Sequence, residues 1–154
     1  MHRRIHCSLR LGALATLLLL GGCQEAAAEK LVIDIHRDAN CGCCKDWINH
    51  LEENGFTVRD HVEPDMITVK MKHGVPPRLA SCHTAVIDGR FVEGHVPADQ
   101  VFELRKRPDL RGLAVPGMPV GSPGMEMGDR QDPYDVIGLT NDGQEAVIAR
   151  YPGK

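Results

Sequence analysis

The sequence is poor in aromatic residues and in motifs of common enzyme classes. Its 154 residues include three Phe, two Tyr and one Trp, which gives no aromatic platform on which bases could stack. It has no basic patch, no phosphate-binding loop, no HExxH motif and no Ser-His-Asp spacing. An internal repeat of the kind that builds solenoids is also absent. These absences argue against nucleic-acid binding, which needs Lys and Arg at the phosphates, and against the enzyme classes that those motifs define.

Long apolar runs are also scarce, and the single one lies at the N-terminus. Residues 1–22 are typical of an export signal, because three arginines precede the apolar run Leu11–Leu20 and no acidic residue lies near them. The run is too short to span a bilayer as a mature helix. The sequence therefore predicts that the folded part works outside the cytoplasm, in the periplasm, and that Cys7 leaves with the signal.

The end of the apolar run predicts a lipid anchor. The stretch "LGGC", Leu20–Cys23, resembles a bacterial lipobox, which would make Cys23 the lipidated first residue of the mature chain. The alternative is an ordinary signal that is cleaved after the small residues Ala26–Ala28. Residues 23–29 then form a short tether. The protein would contact the membrane only through a lipid on Cys23, if that residue carries one.

The remaining part of the chain has the size of one domain. Removal of residues 1–22 leaves 132 residues, which is enough for a modest hydrophobic core. The three signal arginines are lost as well, so the formal net charge changes from −3 to −6. We therefore predict a single acidic domain over residues 30–154.

Alternating strand and helix patterns predict an α/β domain. The first helix begins at the cysteine cluster, with Asn40 as a suitable N-cap residue, and Asp88-Gly89 is a signature of a type I′ hairpin turn. Five Gly and three Pro in residues 112–128 predict a long loop, whose apolar residues indicate that it lies on another part of the domain. The predicted elements are a strand at 30–38, a helix from Cys43 to about Asn54, a strand at 56–62, a helix at 64–74, a hairpin at 82–96, a helix at 97–107 and a hairpin at 134–151.

This order of elements is that of a thioredoxin-like single domain with a C-terminal β-hairpin extension. In that architecture, the start of the first helix lies beside the segment that follows a Pro-rich turn. By this analogy of fold, Cys82 and His83 come close to the cysteine cluster.

The cysteine cluster "CGCC" carries the chemistry of the sequence. Cys41 and Cys44 form a C-x-x-C pair at a helix N-terminus, where unpaired backbone N–H groups and the helix dipole favour a thiolate. Cys43 is one thiol more than a dithiol catalyst needs. A soft metal ion gains from a third and a fourth thiolate, and soft sulfur ligands select Cu(I) and also Zn(II).

Two other uses of these thiols stay open. Exported small domains often use cysteines for structural disulfides, and one bridge could run from Cys82 to the cluster. Adjacent Cys43 and Cys44 are poorly placed to bridge each other. Thiol–disulfide exchange is the second alternative use.

Histidine and methionine are the remaining candidate ligands. Of the histidines, His83 is the better candidate for a metal ligand because it adjoins Cys82, whereas His95 lies at the far end of the hairpin. We interpret the other histidines of the domain as solvated or structural: His36, His50, His61 and His73. The loop carries three methionines, Met118, Met125 and Met127, which either dock it as flexible apolar residues or offer soft thioether ligands.

Three motifs together resemble a bacterial family long described as a domain of unknown function, which includes the periplasmic CopG-type copper-resistance proteins. The motifs are "CGCCKDW", "GVPPRLASCHTAVIDGRFVEGHVPA" and "GLAVPGMPVGSPGMEMG". The resemblance runs from about Leu31 to Tyr151. It implies a thioredoxin-like fold, a role in cycling copper between Cu(I) and Cu(II), and a copper site on four thiols, Cys41, Cys43, Cys44 and Cys82.

Taken together, these observations predict a copper-binding protein of copper resistance that holds Cu(I) on the four thiols. Its partners would be copper ions and other periplasmic copper-handling proteins. With copper as the metal, the long loop would shield the cluster, and Met118 or Met125 would act as an auxiliary ligand. The alternatives are a thioredoxin-like thiol-disulfide oxidoreductase and a disulfide-stapled binding module without metal.

Overall fold

The computed structural model describes residues 31–154. The predicted export signal, the lipidation site Cys23, Cys7 and most of the predicted tether lie outside the described residues. Within the described range, none of the helices combines the length and the apolar character that crossing a membrane requires.

The described chain is a mixed α/β structure in which one sheet carries all the strands and three α-helices pack beside it. The helices are α1 (Gly42–Glu53), α2 (Met66–Lys72) and α3 (Ala98–Arg105), and a short 3₁₀ turn spans Pro77–Leu79. The seven strands are β1 (Leu31–Arg37), β2 (Phe56–Val62), β3 (His83–Ile87), β4 (Arg90–Glu93), β5 (Leu110–Ala114), β6 (Tyr134–Thr140) and β7 (Glu145–Tyr151).

The strand order of the sheet is β2-β1-β3-β4-β5-β6-β7. β1 runs parallel to β2, and β4 runs parallel to β5. The other neighbouring pairs are antiparallel. The predicted C-terminal hairpin therefore continues the same sheet, to which β5 joins it.

The core forms between the sheet and the apolar faces of α1 and α3. Ile33 and Ile35 of β1 are fully buried, as expected for alternate residues of a strand that is covered by a helix. Trp47 and Leu51 lie four residues apart on one face of α1 and are fully buried against this strand layer. The packing of α1 on the sheet fixes its N-terminus, where the cysteines lie.

The ends of the first two helices follow local signals. α1 begins at Gly42 with Cys41 as the N-cap residue, so the prediction of Asn40 as N-cap is wrong by one position. Its end is as predicted, with Asn54 at the C-cap and Gly55 at φ +90°. α2 is shorter than predicted because the Asp65 side chain caps it, accepting from the backbone N–H groups of its first turn.

The hairpin of β3 and β4 turns where the sequence predicts it. Asp88 has φ 50° and Gly89 has φ 74°, so both central residues adopt the positive φ that a type I′ turn requires. The turn pairs Thr84 with Glu93 across the two strands. This register determines which residues of the hairpin face each other beyond the strand ends.

The prediction of a continuous loop over residues 112–128 is wrong at its start. Residues 112–114 belong to β5, which pairs with β4 on one side and β6 on the other. Gly112 is tolerated in this strand because a Cβ there would lie 2.5 Å from the ring of Phe91, so the glycine makes room for the aromatic side chain. The segment after β5, residues 115–133, forms no helix or strand, in agreement with its Pro and Gly content.

Candidate metal centre

Four cysteines meet where the first turn of α1 approaches the start of β3. Cys41, Cys43 and Cys44 come from the N-terminus of α1, and Cys82 directly precedes β3. The four sulfur atoms all lie within 4.8 Å of one another. The structure therefore brings together the four thiols that the sequence analysis names as metal ligands.

Two of these cysteines are joined in this structure. Cys41 and Cys44 form a disulfide across a Cα–Cα distance of 5.4 Å, whereas Cys43 and Cys82 are free thiols. The Sγ atom of Cys43 lies 3.7 Å from that of Cys41. This disulfide joins the two cysteines of the C-x-x-C pair. Cys43, the additional thiol of the cluster, remains free beside it.

Cys82 is surrounded by ring nitrogens as well as by sulfur. Its Sγ lies 3.2 Å from His83 Nδ1 and 3.1 Å from His95 Nε2. Burial, with a further contribution from Cys43, raises the pKa of the Cys82 thiol to about 12. Without a bound cation Cys82 is therefore a neutral thiol, and a metal ion that binds it must displace the proton.

His95 is oriented by the loop that follows β5. Its Nδ1 lies 2.8 Å from the carbonyl oxygen of Pro123, which can only accept a hydrogen bond, so Nδ1 carries the proton. Burial lowers the pKa of His95, which favours the neutral ring. The lone pair of its Nε2 then points at Cys82. A backbone carbonyl that fixes the tautomer in this way is typical of metal-ligating histidines.

His83 is fully buried between two other rings. Trp47 packs on one side with ring centroids 4.3 Å apart, and His95 meets it edge-on at 5.0 Å. Burial holds the pKa of His83 well below its ordinary value, so the ring is neutral. Its Nε2 is buried and has no hydrogen-bond partner. An unpartnered buried nitrogen costs free energy, which the packing of the ring and the contacts of its other nitrogen must offset.

The segment of residues 115–133, which we call the β5–β6 loop, lies over the start of α1. Gly124, with φ +80°, packs so closely on the helix that a Cβ there would lie 2.6 Å from the backbone nitrogen of Trp47 and 3.0 Å from the carbonyl oxygen of Cys43. Pro123, one residue earlier, holds His95. The prediction that this loop lies on another part of the domain is confirmed.

The methionines of this loop differ in exposure. Met118 is 54% exposed and Met127 is 64% exposed. Met125 is partly buried in a tight turn, where its backbone N–H donates to the carbonyl of Ser122. Among the three methionines, the thioether of Met125 is thus the least open to solvent.

A buried carboxylate supports the segment that carries Cys82. Glu93 is fully buried and accepts hydrogen bonds from Lys70 Nζ at 2.5 Å, from Ser81 N at 2.6 Å and from Thr84 Oγ1 at 2.7 Å. Its bond to the Ser81 backbone anchors the residue that precedes Cys82. Nothing in the sequence pattern around Glu93 predicts this role. His95, predicted to be a weaker candidate ligand than His83, lies equally close to the thiol.

Three of the other histidines have polar partners of their own, whereas His73 meets the ring of His36 at 5.5 Å and its buried Nε2 has no hydrogen-bond partner. On neighbouring strands, His36 and His61 stack with centroids 4.8 Å apart, and they contact Glu63 and Asp34 respectively. His50 Nε2 accepts from the backbone N–H of Ala98. These contacts agree with the prediction that they are solvated or structural.

The fold and the site together define an α/β domain with a disulfide-bonded C-x-x-C pair inside a cluster of sulfur and imidazole donors. Residues 79–125 match the family model described as "Protein of unknown function, DUF411". A comparison with curated proteins found no match.

Two solved structures share most of the chain. "Copper resistance protein copG- Form 2" is 69% identical, with a TM-score of 0.80, and the match covers 80% of this chain and all of that one. "Copper resistance protein copG- Form 1" is 70% identical, with a TM-score of 0.79, over 81% of this chain and all of that one. The chain therefore belongs to the DUF411 family of CopG-type copper resistance proteins.

Proposed function

We propose that this protein binds copper in the service of copper resistance and holds Cu(I) on Cys41, Cys43, Cys44 and Cys82. The observation that carries the proposal is the convergence of four sulfur atoms within 4.8 Å. It occurs in a chain about 70% identical to structures named copper resistance proteins. Soft thiolates select Cu(I) over hard cations, and four of them provide more donors than a catalytic dithiol needs.

The frame that we propose for this site is a thioredoxin-like domain. Its support is the strand order β2-β1-β3-β4, with β1 and β2 parallel and connected through α1, and β3 and β4 following as an antiparallel hairpin. In such a frame the N-terminus of α1 and the segment before β3 are neighbours. β5, β6 and β7 extend the sheet, and the β5–β6 loop returns over α1.

Copper redox is the further part of the proposed function. Oxidation of the dithiol of Cys41 and Cys44 to the disulfide releases two electrons and two protons. Those two electrons balance the reduction of two Cu(II) ions to two Cu(I) ions, and an external thiol reductant resets the pair. The support is that the bridged pair and the free thiols Cys43 and Cys82 lie in one cluster.

We also propose the periplasm as the location and Cys23 as a lipid anchor. The support for both is the N-terminal sequence, with its export signal and lipobox. Labelling of the protein with a radioactive fatty acid in cells checks the anchor. The Cys23→Ser variant, whose export signal is otherwise intact, should remain unlabelled.

The test of copper binding is an anaerobic titration of the reduced protein with Cu(I) against a chromophoric chelator, with copper per chain counted by elemental analysis. Cys82→Ser should weaken binding by about 10-fold or more, because it removes the donor that closes the cluster. Met71→Leu is the matched control, since it deletes an exposed sulfur on α2, away from the cysteines. Equal affinities of Cys82→Ser and the parent would contradict the four-thiol site.

A second function is favoured by one observation. The disulfide of Cys41 and Cys44 at the start of a helix is the arrangement of a thiol-disulfide oxidoreductase. Catalysed reduction of insulin by the protein, undiminished in Cys43→Ser, would support this alternative, because Cys43 is dispensable to a dithiol enzyme. Loss of Cu(I) affinity in Cys43→Ser without insulin turnover in the parent would favour copper binding.

The β5–β6 loop is tested through its methionines. If Met118 or Met125 is an auxiliary copper ligand, the double variant Met118→Leu/Met125→Leu should lower Cu(I) affinity and change the rate of copper oxidation. Met127→Leu is the control because its side chain is largely exposed. Unchanged affinity and rate in the double variant would show that these methionines only dock the loop.

A further inference from the structure

Cys82 belongs to two groups of donors, of which the four cysteines are one. The second group is Cys82 with His83 and His95, whose ligand atoms also lie within 4.8 Å of one another. Both histidines are fully buried. The two groups share one sulfur atom, that of Cys82, and therefore lie side by side.

The second group has the dimensions of a site for one ion. The Sγ of Cys82 is 3.2 Å from His83 Nδ1 and 3.1 Å from His95 Nε2. Two ligands of the same ion, bonded at about 2.0 to 2.3 Å, can lie no more than roughly 4.6 Å apart. Small side-chain movements therefore suffice to place all three donors around an ion.

The orientation of the rings also fits a cation better than a hydrogen-bond network. The Nδ1–H of His95 is committed to the carbonyl of Pro123, which leaves its Nε2 lone pair facing the sulfur. The Cys82 thiol has one proton, so it can donate to only one of the two ring nitrogens beside it, and the other nitrogen must donate to the sulfur or keep an unused lone pair. The buried Nε2 of His83 has no partner in any of these arrangements. A cation between the three donors takes up both lone pairs.

The donor set accepts Cu(II) more readily than four thiolates do. Soft thiolates select Cu(I), whereas imidazole also suits Cu(II), and trigonal sites of two histidines and one cysteine hold copper through both oxidation states. None of these three donors takes part in the disulfide of Cys41 and Cys44. The second group consequently keeps its full set when the first group has lost two thiolates.

We propose that Cys82, His83 and His95 form a separate His₂Cys subsite that accepts a borderline divalent cation, Cu(II), while Cys41 and Cys44 are bridged. The inference rests on the proposed copper function and extends it. Copper would be held by sulfur in the reduced protein and by one sulfur and two nitrogens in the oxidised protein. Cys82 would be a ligand in both forms.

The test uses a protein in which Cys82 is the sole free thiol. Cys7, Cys23 and Cys43 are replaced by Ser, and the pair Cys41–Cys44 is left oxidised. The probes are Co(II), which does not oxidise thiols, and then Cu(II). We expect one Co(II) per chain, with a thiolate-to-metal charge-transfer band and tetrahedral ligand-field bands, and an intense thiolate-to-Cu(II) band with Cu(II).

Histidine variants of this single-thiol protein distinguish a metal ligand from a histidine that does not bind the metal. His95→Ala should weaken Co(II) binding about 10- to 100-fold and abolish the tetrahedral spectrum. The matched control is His61→Ala, a partly exposed histidine that contacts Asp34 on β1. His83→Ala should act like His95→Ala, and far-UV circular dichroism confirms that each variant is folded. The His95→Ala variant supports or refutes the proposal by itself, so the test stands even if His83→Ala does not fold.

The outcomes distinguish this inference from the proposed function. A thiolate band that is unaffected by His95→Ala, or no Co(II) binding at all, would overturn the subsite. If the reduced parent still bound Cu(I) tightly, the copper function would stand without the subsite. A His95-dependent Co(II) site in a protein whose reduced form does not bind Cu(I) would support the subsite and reject the four-thiol Cu(I) site.

Discussion

The buried carboxylate of Glu93 should be among the most costly polar groups of the domain to remove. It has no exposure to solvent and is bonded to the Lys70 ammonium, the Thr84 hydroxyl and the Ser81 backbone N–H. Replacement by Ala leaves a cation and two donors in a space from which water is largely excluded. We therefore expect Glu93→Ala to lower both the stability of the domain and its affinity for copper.

The size of the stability loss follows from the partners. Breaking a buried pair by removing one member typically costs about 3–5 kcal/mol, since the other charge is left uncompensated. The Lys70 side chain is 15% exposed and can move its ammonium towards water, so the lower end, about 3 kcal/mol, is the expectation. A domain of this size has a free energy of unfolding of roughly 5–15 kcal/mol, so the variant should fold but with a reduced margin.

Urea unfolding of Glu93→Ala, Glu93→Gln and the parent measures the effect. Glu93→Gln keeps an acceptor for Ser81 and should lose less stability than Glu93→Ala. The matched control is Glu145→Ala, which breaks the more exposed pair with Arg78 and should cost at most about 1 kcal/mol. If Glu93→Ala were no more destabilised than Glu145→Ala, the reasoning from burial would be refuted. Unchanged Cu(I) affinity in folded Glu93→Ala would show that Ser81 does not need this anchor to place Cys82.

Two further predictions concern His83 and the β5–β6 loop. Burial holds the pKa of His83 well below 6.5, so the unfolded chain binds the proton first as the pH falls. On account of this group, the free energy of unfolding should drop by up to about 1.4 kcal/mol per pH unit below pH ~6.5. Urea titrations of His83→Gln should show a shallower dependence of this free energy on pH. An equal dependence in the variant and the parent would be evidence against a neutral buried ring. In Gly124→Ala, the new Cβ would lie 2.6 Å from the backbone nitrogen of Trp47, so alkylation of Cys43 and Cys82 should become faster. The control is Gly117→Ala, which has a similar positive φ and nothing within 4 Å of the new Cβ. It introduces the same backbone strain and should leave thiol reactivity unchanged. Equal alkylation rates in the two variants would contradict the packing of the loop on α1.

The order of the elements could be predicted because local signals mark most of their ends. The apolar run of β1, the Gly55 that follows α1 and the Asp88-Gly89 turn each lie where the structure has a strand, a helix end and a hairpin turn. β5 cannot be predicted from composition, because its last three residues belong to the Gly- and Pro-rich stretch 112–128. Residues 112–114 are buried between β4 and β6, and a neighbourhood of this kind depends on the tertiary fold.

The place of His95 in the site could have been found from the sequence. A two-residue turn at Asp88-Gly89 pairs residues that are equally distant from it, as the observed pair of Thr84 and Glu93 shows. Cys82 and His95 are also equally distant from that turn. Adjacency along the chain favours His83, which follows Cys82 directly. Strand register, which places a residue beside its cross-strand partner, was the stronger signal.

Other features of the site depend on long-range contacts that no local pattern contains. The carbonyl of Pro123 fixes the tautomer of His95 across 28 residues of chain. Lys70 reaches Glu93 from α2, across 23 residues of chain. Such contacts arise when the β5–β6 loop and α2 pack on the sheet. Local sequence patterns do not predict the distance between residues of different elements.

Because Cys82 belongs to both groups of donors, the removal of single donors should affect Cu(I) and Co(II) binding differently. If the two groups are separate subsites, Cys43→Ser weakens Cu(I) binding in the reduced protein and leaves Co(II) binding in the oxidised protein unchanged. His95→Ala does the reverse, and Cys82→Ser weakens both, because its sulfur lies within reach of the cysteines and of both rings. A double variant of Cys43 and His95 should then show the two losses independently, each in its own redox state. A loss of Cu(I) affinity in His95→Ala as large as that in Cys43→Ser would mean instead that the imidazole and the thiolates hold the same ion.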